Sequence, residues 1–204
     1  MRPCRARIAE VILKLQEAGE LVLRKPSREL TSEEIISAPI QELIASMFET
    51  MRAAPGVGLA APQIGMPLQL AVIEDRGEYI EKLPPEHSAA RLRSAVPPHV
   101  IVNPRLTLES ENVEFFEGCL SLPGFTAIVP RALAVRVDCL NEHAEPVAIR
   151  ARGWYARILQ HEIDHLHGTL YIDRMLSRSF MGRENFERHW KDVPVAEFRA
   201  LLDG

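Results

Sequence analysis

Hydrophobic positions spaced three and four apart give the clearest signal in the chain. After Ser37, Ala38 and Pro39, the residues Ile40, Leu43, Ile44, Met47, Phe48 and Met51 repeat at helical spacing until Pro55 and Gly56. This predicts an amphipathic helix of about four turns, started by a cap-type serine and a first-turn proline and packed by one apolar face. Upstream, Ile8 to Leu23 mixes apolar and charged positions around Gly19 and reads as a short helix or an extended arm. Short apolar runs suited to strands follow at Leu68 to Ile73, Val100 to Asn103, Val113 to Phe116, Thr126 to Val129, Leu133 to Cys139 and Val147 to Arg150. A polar, proline-bearing stretch, 74–99, separates the first two and reads as a surface insertion with some helix around Ser88 to Ser94.

Trp154, Ile158, His161 and His165 fall at i, i+4, i+7 and i+11, with Leu159, Ile163 and Leu166 on neighbouring faces and Gly168 as a stop. A helix apolar on both faces is expected at the centre of the fold. Tyr171 to Leu176 reads as extended or irregular, and Arg183 to Trp190 as a partly solvated terminal helix. Several short strands joined by turns favour antiparallel pairing. The expected architecture is α+β, with antiparallel β-sheets packed around that central helix. One domain is expected, carrying the 74–99 insertion and a C-terminal extension after residue 176.

Composition adds little to the fold but narrows the chemistry. The 204 residues are 47% hydrophobic and 25% charged, as in an ordinary globular protein. A net charge of -4 argues against a nucleic-acid footprint. Arg2, Arg5 and Arg7 are not followed by an apolar core of signal-peptide length, and no stretch reaches the ~18–20 apolar residues of a membrane span. Cys4, Cys119 and Cys139 are odd in number and lack a C-x-x-C pair, so they read as thiols in a reducing compartment.

The chemistry is concentrated in Gln160 to His165, which has the form H-E-x-x-H. On a helix, His161 and His165 share a face and can each give one nitrogen to a divalent metal, while Glu162 can reach a water beside it. Two imidazoles and a carboxylate on an apolar helix are costly to desolvate without such a partner. The third ligand separates reaction classes. One protease group extends the motif to H-E-x-x-H-x-x-G-x-x-H, and Tyr171 stands where its last histidine would be. Glu184 and Glu187 satisfy the spacing of a downstream carboxylate but sit in a polar segment. Cys119, upstream in Glu117 to Gly124, is the better candidate, since a thiolate and two imidazoles leave a fourth position open. The run Gly56 to Gly65 is neither a dinucleotide fingerprint nor a phosphate loop; its small residues mark close approach by another group, and Gln63 is its one polar side chain.

Taken in order, Gly56 to Gly65, Glu117 to Ser121 and Gln160 to His165 resemble the three signature motifs of the peptide deformylase family, approximately G-φ-G-L-A-A-x-Q, E-G-C-x-S and Q-H-E-x-D-H. The resemblance runs from about Glu17 to Tyr171. The insertion before Val100, Gly124 with Phe125, and Gly153 with Trp154 look like the branch that includes mitochondrial-type enzymes.

The resemblance implies Cys119, His161 and His165 as metal ligands, with Fe2+ as the metal and Zn2+, Ni2+ or Co2+ as substitutes. It implies hydrolysis of the formyl group from N-terminal formyl-methionine, with Glu162 as proton carrier and Gln63 and the Leu120 N–H as oxyanion donors. Gly58 would pair with substrate backbone, and Val57, Phe115, Trp154 and Ile158 would line a methionine pocket. Asp164, facing away from the ligand side, would form a buried ion pair with Arg131 that orients the helix, and Glu117 and Gln160 would support it in the same sense. Formyl-methionyl nascent peptides are the expected partners, with ribosome association as a further option; no membrane and no sequence-specific nucleic acid are expected. A bacterial cytoplasm is expected ahead of an organellar matrix. A metalloendopeptidase and a non-enzymatic structural-zinc domain are the competing readings.

Overall fold

The computed structural model describes residues 12–203. Cys4, the arginines at positions 2, 5 and 7, and the first residues of the Ile8 to Leu23 segment lie outside the described residues. From residue 12 that segment is an arm, closing in a 3-10 turn at Leu21–Arg24. Its backbone donates from Gln16 N to Gln63 O and from Ala18 N to Ser121 O, both at 2.8 Å. The arm therefore fastens two of the three motifs from outside.

A short helix α1 (Ser32–Ile35) leads to α2 (Ala38–Ala53), the helix expected from periodicity. Ile44, Met47 and Met51 are its buried apolar residues, with Ile40, Leu43 and Phe48 packed beside them. Ser37 stands at the N-cap position, but its hydroxyl donates to Glu34 O at 2.6 Å and leaves the helix uncapped by a side chain. The strands are β1 (Gly58–Ala60), β2 (Leu70–Asp75), β3 (Val96–Leu108), β4 (Asn112–Cys119), β5 (Leu122–Ala132), β6 (Ala134–Leu140), β7 (Pro146–Arg152) and the short β8 (Met181–Gly182). All named strand pairs are antiparallel, in a five-stranded sheet of order β1-β2-β3-β6-β7 and a three-stranded sheet β4-β5-β8.

The strand patterns follow burial. In β6, Val135, Val137 and Cys139 are buried while the residues between them face outward, the period of two expected for a sheet covered on one side. In β2, Leu70 to Ile73 are all buried, because the sheet is covered on both faces there. β3 is much longer than the run Val100 to Asn103. Two of its three prolines, Pro97 and Pro98, lie where the register with β2 shifts, and Asn103, with φ +49, sits with Pro104 at a second shift against β6. Asn103 exchanges two hydrogen bonds with the Leu30 backbone, so a residue that reads as a strand end is a bulge held by its side chain.

Between β2 and β3 the insertion is 76–95 and carries two helices, α3 (Gly77–Ile80) and α4 (Pro85–Ala90). The helix begins earlier than Ser88 because Pro85 occupies its first turn. Arg93 pairs with buried Asp75 through two hydrogen bonds of 2.8 Å and returns the insertion to the sheet. The C-terminal extension holds α6 (Arg183–His189) and an unexpected α7 (Val195–Asp203). Phe186, Trp190 and Phe198 close on Phe116 and Ile128 of the three-stranded sheet, so this segment is anchored by aromatics despite its charge.

The helix α5 (Trp154–Leu166) lies between the two sheets. Ile158, Leu159, Ile163 and Leu166 join Ile73, Ile101, Val135 and Val137 in one core. Its other side meets the three-stranded sheet through polar groups: Gln160 exchanges hydrogen bonds of 3.0 and 2.9 Å with Ala132 N and O. Antiparallel sheets around a central helix are thus observed as expected. Gly168 ends the region with φ +75, and a Cβ there would lie 2.7 Å from the Arg24 carbonyl carbon. Gly168→Ala is expected to cost about 1–3 kcal/mol, read as a lower denaturant midpoint; an unchanged midpoint would show that the contact relaxes.

Candidate metal centre and its surroundings

His161 and His165 stand one turn apart on α5, and the hairpin of β4 and β5 brings Cys119 against them. One donor atom from each of Cys119, His161 and His165 lies within 4.8 Å of the others. His165 Nε2 is 3.2 Å from Cys119 Sγ and 3.3 Å from His161 Nε2. Two nitrogens bound tetrahedrally at ~2.0–2.1 Å to one ion are separated by ~3.3–3.4 Å, so the imidazoles already stand at ligand spacing. Burial would push the Cys119 thiol up, but the charges and hydrogen bonds of His165 and His161 hold it well below its ordinary value. The thiolate is the form that binds metal. Thiolate and imidazole donors suit several divalent transition metals, and the cluster fits such an ion.

Glu162 points from the same helix into the space beside this cluster. It is buried, and its Oε2 has no hydrogen-bond partner among the described residues. Burial raises its pKa, the Cys119 thiolate adds to the rise, and His161 and His165 oppose it. Gly58 is what makes room: a Cβ at that position would lie 2.3 Å from Glu162 Oε1. Close approach was the expected meaning of the small-residue run, and the approaching group is this carboxylate.

Gln63 is buried in a 3-10 turn (Ala61–Ile64) directly after β1. Its Oε1 accepts from Ala60 N at 2.9 Å, which turns the NH2 end toward Ser121 Oγ at 3.3 Å and Cys119 Sγ at 3.6 Å. A local backbone bond and a place beside the cluster are therefore the same arrangement. Leu120 follows Cys119 and is half-buried against the core of α2. Val57, Trp154 and Ile158 gather at one core; Ile158 is only 3% exposed, so it forms wall more than open surface. Phe115 lies apart from that core and is linked to Trp154 by Arg91, whose guanidinium carbon lies 6.0 and 5.1 Å from the two ring centroids. Glu184 and Glu187 border an outer groove with Arg183 and Arg188, and neither joins the cluster.

Behind the candidate ligands runs a buried polar network larger than the sequence disclosed. His161 Nδ1 is 3.0 Å from Glu117 Oε2, which orients the ring. Arg131 donates to Glu117 at 2.7 and 3.1 Å and to Asp164 at 2.7 Å, as expected for the Asp164 pair. Two further arginines went unforeseen. Arg157 donates to Glu117 Oε1 at 2.6 Å and to the carbonyls of Val129 and Val113; Arg174 grips Asp164 at 2.6 and 2.7 Å. A buried arginine one turn before His161 was the available signal. Gln160 ties α5 to β5 through the Ala132 backbone and so orients the helix. Burial would raise Glu117, yet the Arg131 charge and the bond with His161 hold it well below the ordinary carboxylate value.

Arg131→Met is expected to cost about 3 kcal/mol, the low end for a broken buried pair, because Arg157 and Arg174 remain. Since folding depresses the Glu117 pKa below the unfolded value, its contribution is complete above the ordinary carboxylate value of 4.5 and is lost as pH falls toward the folded value. Acid unfolding should therefore begin at higher pH in Arg131→Met; coincident acid transitions would show that the network does not set Glu117.

The family model described as polypeptide deformylase matches residues 12–180. Among curated relatives, peptide deformylase 1A, chloroplastic, from Solanum lycopersicum is 48% identical over 181 residues, covering 88% of this chain and 64% of the relative. The chain thus spans just under two thirds of that protein. Peptide deformylase 3 of Streptomyces avermitilis is 41% identical over 207 residues, covering 98% and 90%. A class I type b peptide deformylase from Acinetobacter baumannii, solved with Met-Ala-Ser bound, superposes with TM-score 0.73 at 32% identity, covering 81% of this chain and 99% of that one. The family match takes in the glycine-rich run, the cysteine hairpin and the histidine helix together, and on that breadth the chain belongs to the polypeptide deformylase family.

Proposed function

We propose that this chain is a metal-dependent amide hydrolase that removes the formyl group from the N-terminal formyl-methionine of nascent polypeptides and releases formate. The observation that carries the reading is the buried, unpartnered Glu162 Oε2 beside three convergent donor atoms. Cys119, His161 and His165 would hold the ion, with Fe2+ as the native metal and Zn2+, Ni2+ or Co2+ as substitutes. When bound, it supplies Lewis acidity toward water and toward a carbonyl oxygen.

The remaining work falls to side chains and backbone. Glu162 takes the proton of the attacking water and returns it to the departing amine nitrogen. Its raised pKa, set first by burial, suits a group that must hold a proton between those steps. Gln63 Nε2 and the Leu120 N–H donate to the oxygen that gains charge; a single such donor is worth ~2.7–4 kcal/mol in related chemistry. Gly58 leaves its backbone open to the substrate chain, and Val57, Phe115, Trp154 and Ile158 shape the methionine pocket.

The chain is read as one catalytic domain, with the insertion and the C-terminal extension as additions. Formyl-methionyl peptides are its proposed partners, with the ribosome as the place of encounter, and a bacterial cytoplasm is the proposed setting. The Streptomyces relative, aligned over nearly the whole chain, supports that setting. Among the described residues no helix is long and apolar enough to cross a membrane. A structural zinc would call for a fourth protein ligand, and the described cluster has three.

The test is formate release from formyl-Met-Ala by anaerobically prepared, metal-analysed protein, beside an unformylated protein substrate. Formate from the peptide and no internal cleavage are expected; Glu162→Gln should keep its metal and lose about 10²–10⁴ in turnover. Cleavage of internal bonds alone would contradict the reading, as would full activity in Glu162→Gln.

A further inference from the structure

Three arginines meet around Trp154 and Phe115, and they are not equivalent. Arg93 lies 5.4 Å from the Trp154 ring centroid but spends its hydrogen bonds on Asp75. Arg157 lies 5.3 Å from the Phe115 ring centroid and is engaged by Glu117, Val129 O and Val113 O. Arg91 touches both rings, and among the described residues no carboxylate or carbonyl accepts from its guanidinium. Burial, then the charges of Arg93 and Arg157, pull it below the ordinary arginine value, as befits a cation with no counter-charge. The indole Nε1–H of Trp154 is also buried without an acceptor.

Arg91 is held in place by its own backbone. Its carbonyl accepts from Trp154 N at 2.9 Å, the first N–H of α5, and Gly153 at φ +66 permits this contact, since a Cβ there would lie 2.6 Å from Arg91 O. The insertion is thereby fixed to the start of the helix that carries the candidate ligands. A guanidinium with free donors and a buried indole N–H stand at one aromatic-lined place, and both call for an acceptor from outside the chain.

We infer that Arg91 is a specificity-determining residue of the methionine pocket, donating to the thioether sulfur at the end of the substrate's first side chain. The inference rests on the deformylase reading and on Phe115 and Trp154 lining that pocket. Sulfur is a weak but polarisable acceptor that also packs well against aromatic rings, whereas the methylene of norleucine, of nearly the same shape, accepts nothing. The arginine therefore separates two side chains that an apolar pocket alone would treat nearly alike.

The test compares kcat/KM for formate release from formyl-Met-Ala and formyl-norleucyl-Ala in the wild type, Arg91→Met and Arg91→Lys. The wild type is expected to favour methionine. In Arg91→Met the methionine-to-norleucine ratio should fall about three- to tenfold, with an unshifted thermal unfolding midpoint showing that the variant is folded. Arg91→Lys keeps the charge without the planar fork and should fall between. A ratio unchanged within about twofold in both variants overturns the inference, including the case where both peptides lose equally, the mark of a merely structural arginine. No formate from either peptide with the wild type would instead overturn the deformylase reading, and this inference with it.

Discussion

Arg131 joins two carboxylates that belong to different parts of the site. Glu117 sits on the hairpin that carries Cys119, and Asp164 on the helix between His161 and His165. The hairpin and the helix approach from separate layers, and apolar packing alone would tolerate small sliding between them. Charged hydrogen bonds between buried groups do not, because a displaced donor leaves an unpaired charge in a medium of low dielectric. Arg157 and Arg174 extend the same lock to the backbone of both strands of the hairpin and to the segment after the helix. Such networks add little net stability over an apolar core, and here their effect is positional: Cys119 and the two imidazoles stand at ligand distance.

The glycine-rich motif works by absence of bulk. Gly58 admits the Glu162 carboxylate to a space any side chain would fill, and the turn after it presents Gln63 in one amide orientation. The N-terminal arm then binds the backbone at Gln63 and Ser121, so the first two motifs are held together at their outer edge as the second and third are at their inner one. Glycine, glutamine, cysteine and histidine thus reach one place from distant parts of the chain, each through a different device.

Periodicity disclosed what is repetitive. The stripe of α2 and the bifacial α5 were legible because burial imposes helical spacing on their apolar residues, and β6 because it alternates. Less regular elements were misjudged for physical reasons: β3 is interrupted by prolines and by Asn103 in a left-handed conformation, so its apolar run looks short. The terminal helix α7 was missed because its segment is charged and short, and only Phe198 meeting Trp190 and Phe116 reveals its packing. The candidate ligands were readable from residue type and spacing, whereas Arg174 and Arg91 were not, since arginine on an isolated segment reads as solvated surface until a carboxylate or a ring is found opposite it; Arg157 differed only in standing on a helix apolar on both faces.

The central claim is that the buried network holds one thiolate and two imidazoles around a single metal with a position left open. X-ray absorption at the metal edge of the reconstituted protein addresses it directly. One sulfur at ~2.3 Å and two nitrogens at ~2.0–2.1 Å, completed by solvent oxygen, are the predicted shell. A shell without sulfur, or one closed by four protein nitrogen and sulfur ligands, would contradict it.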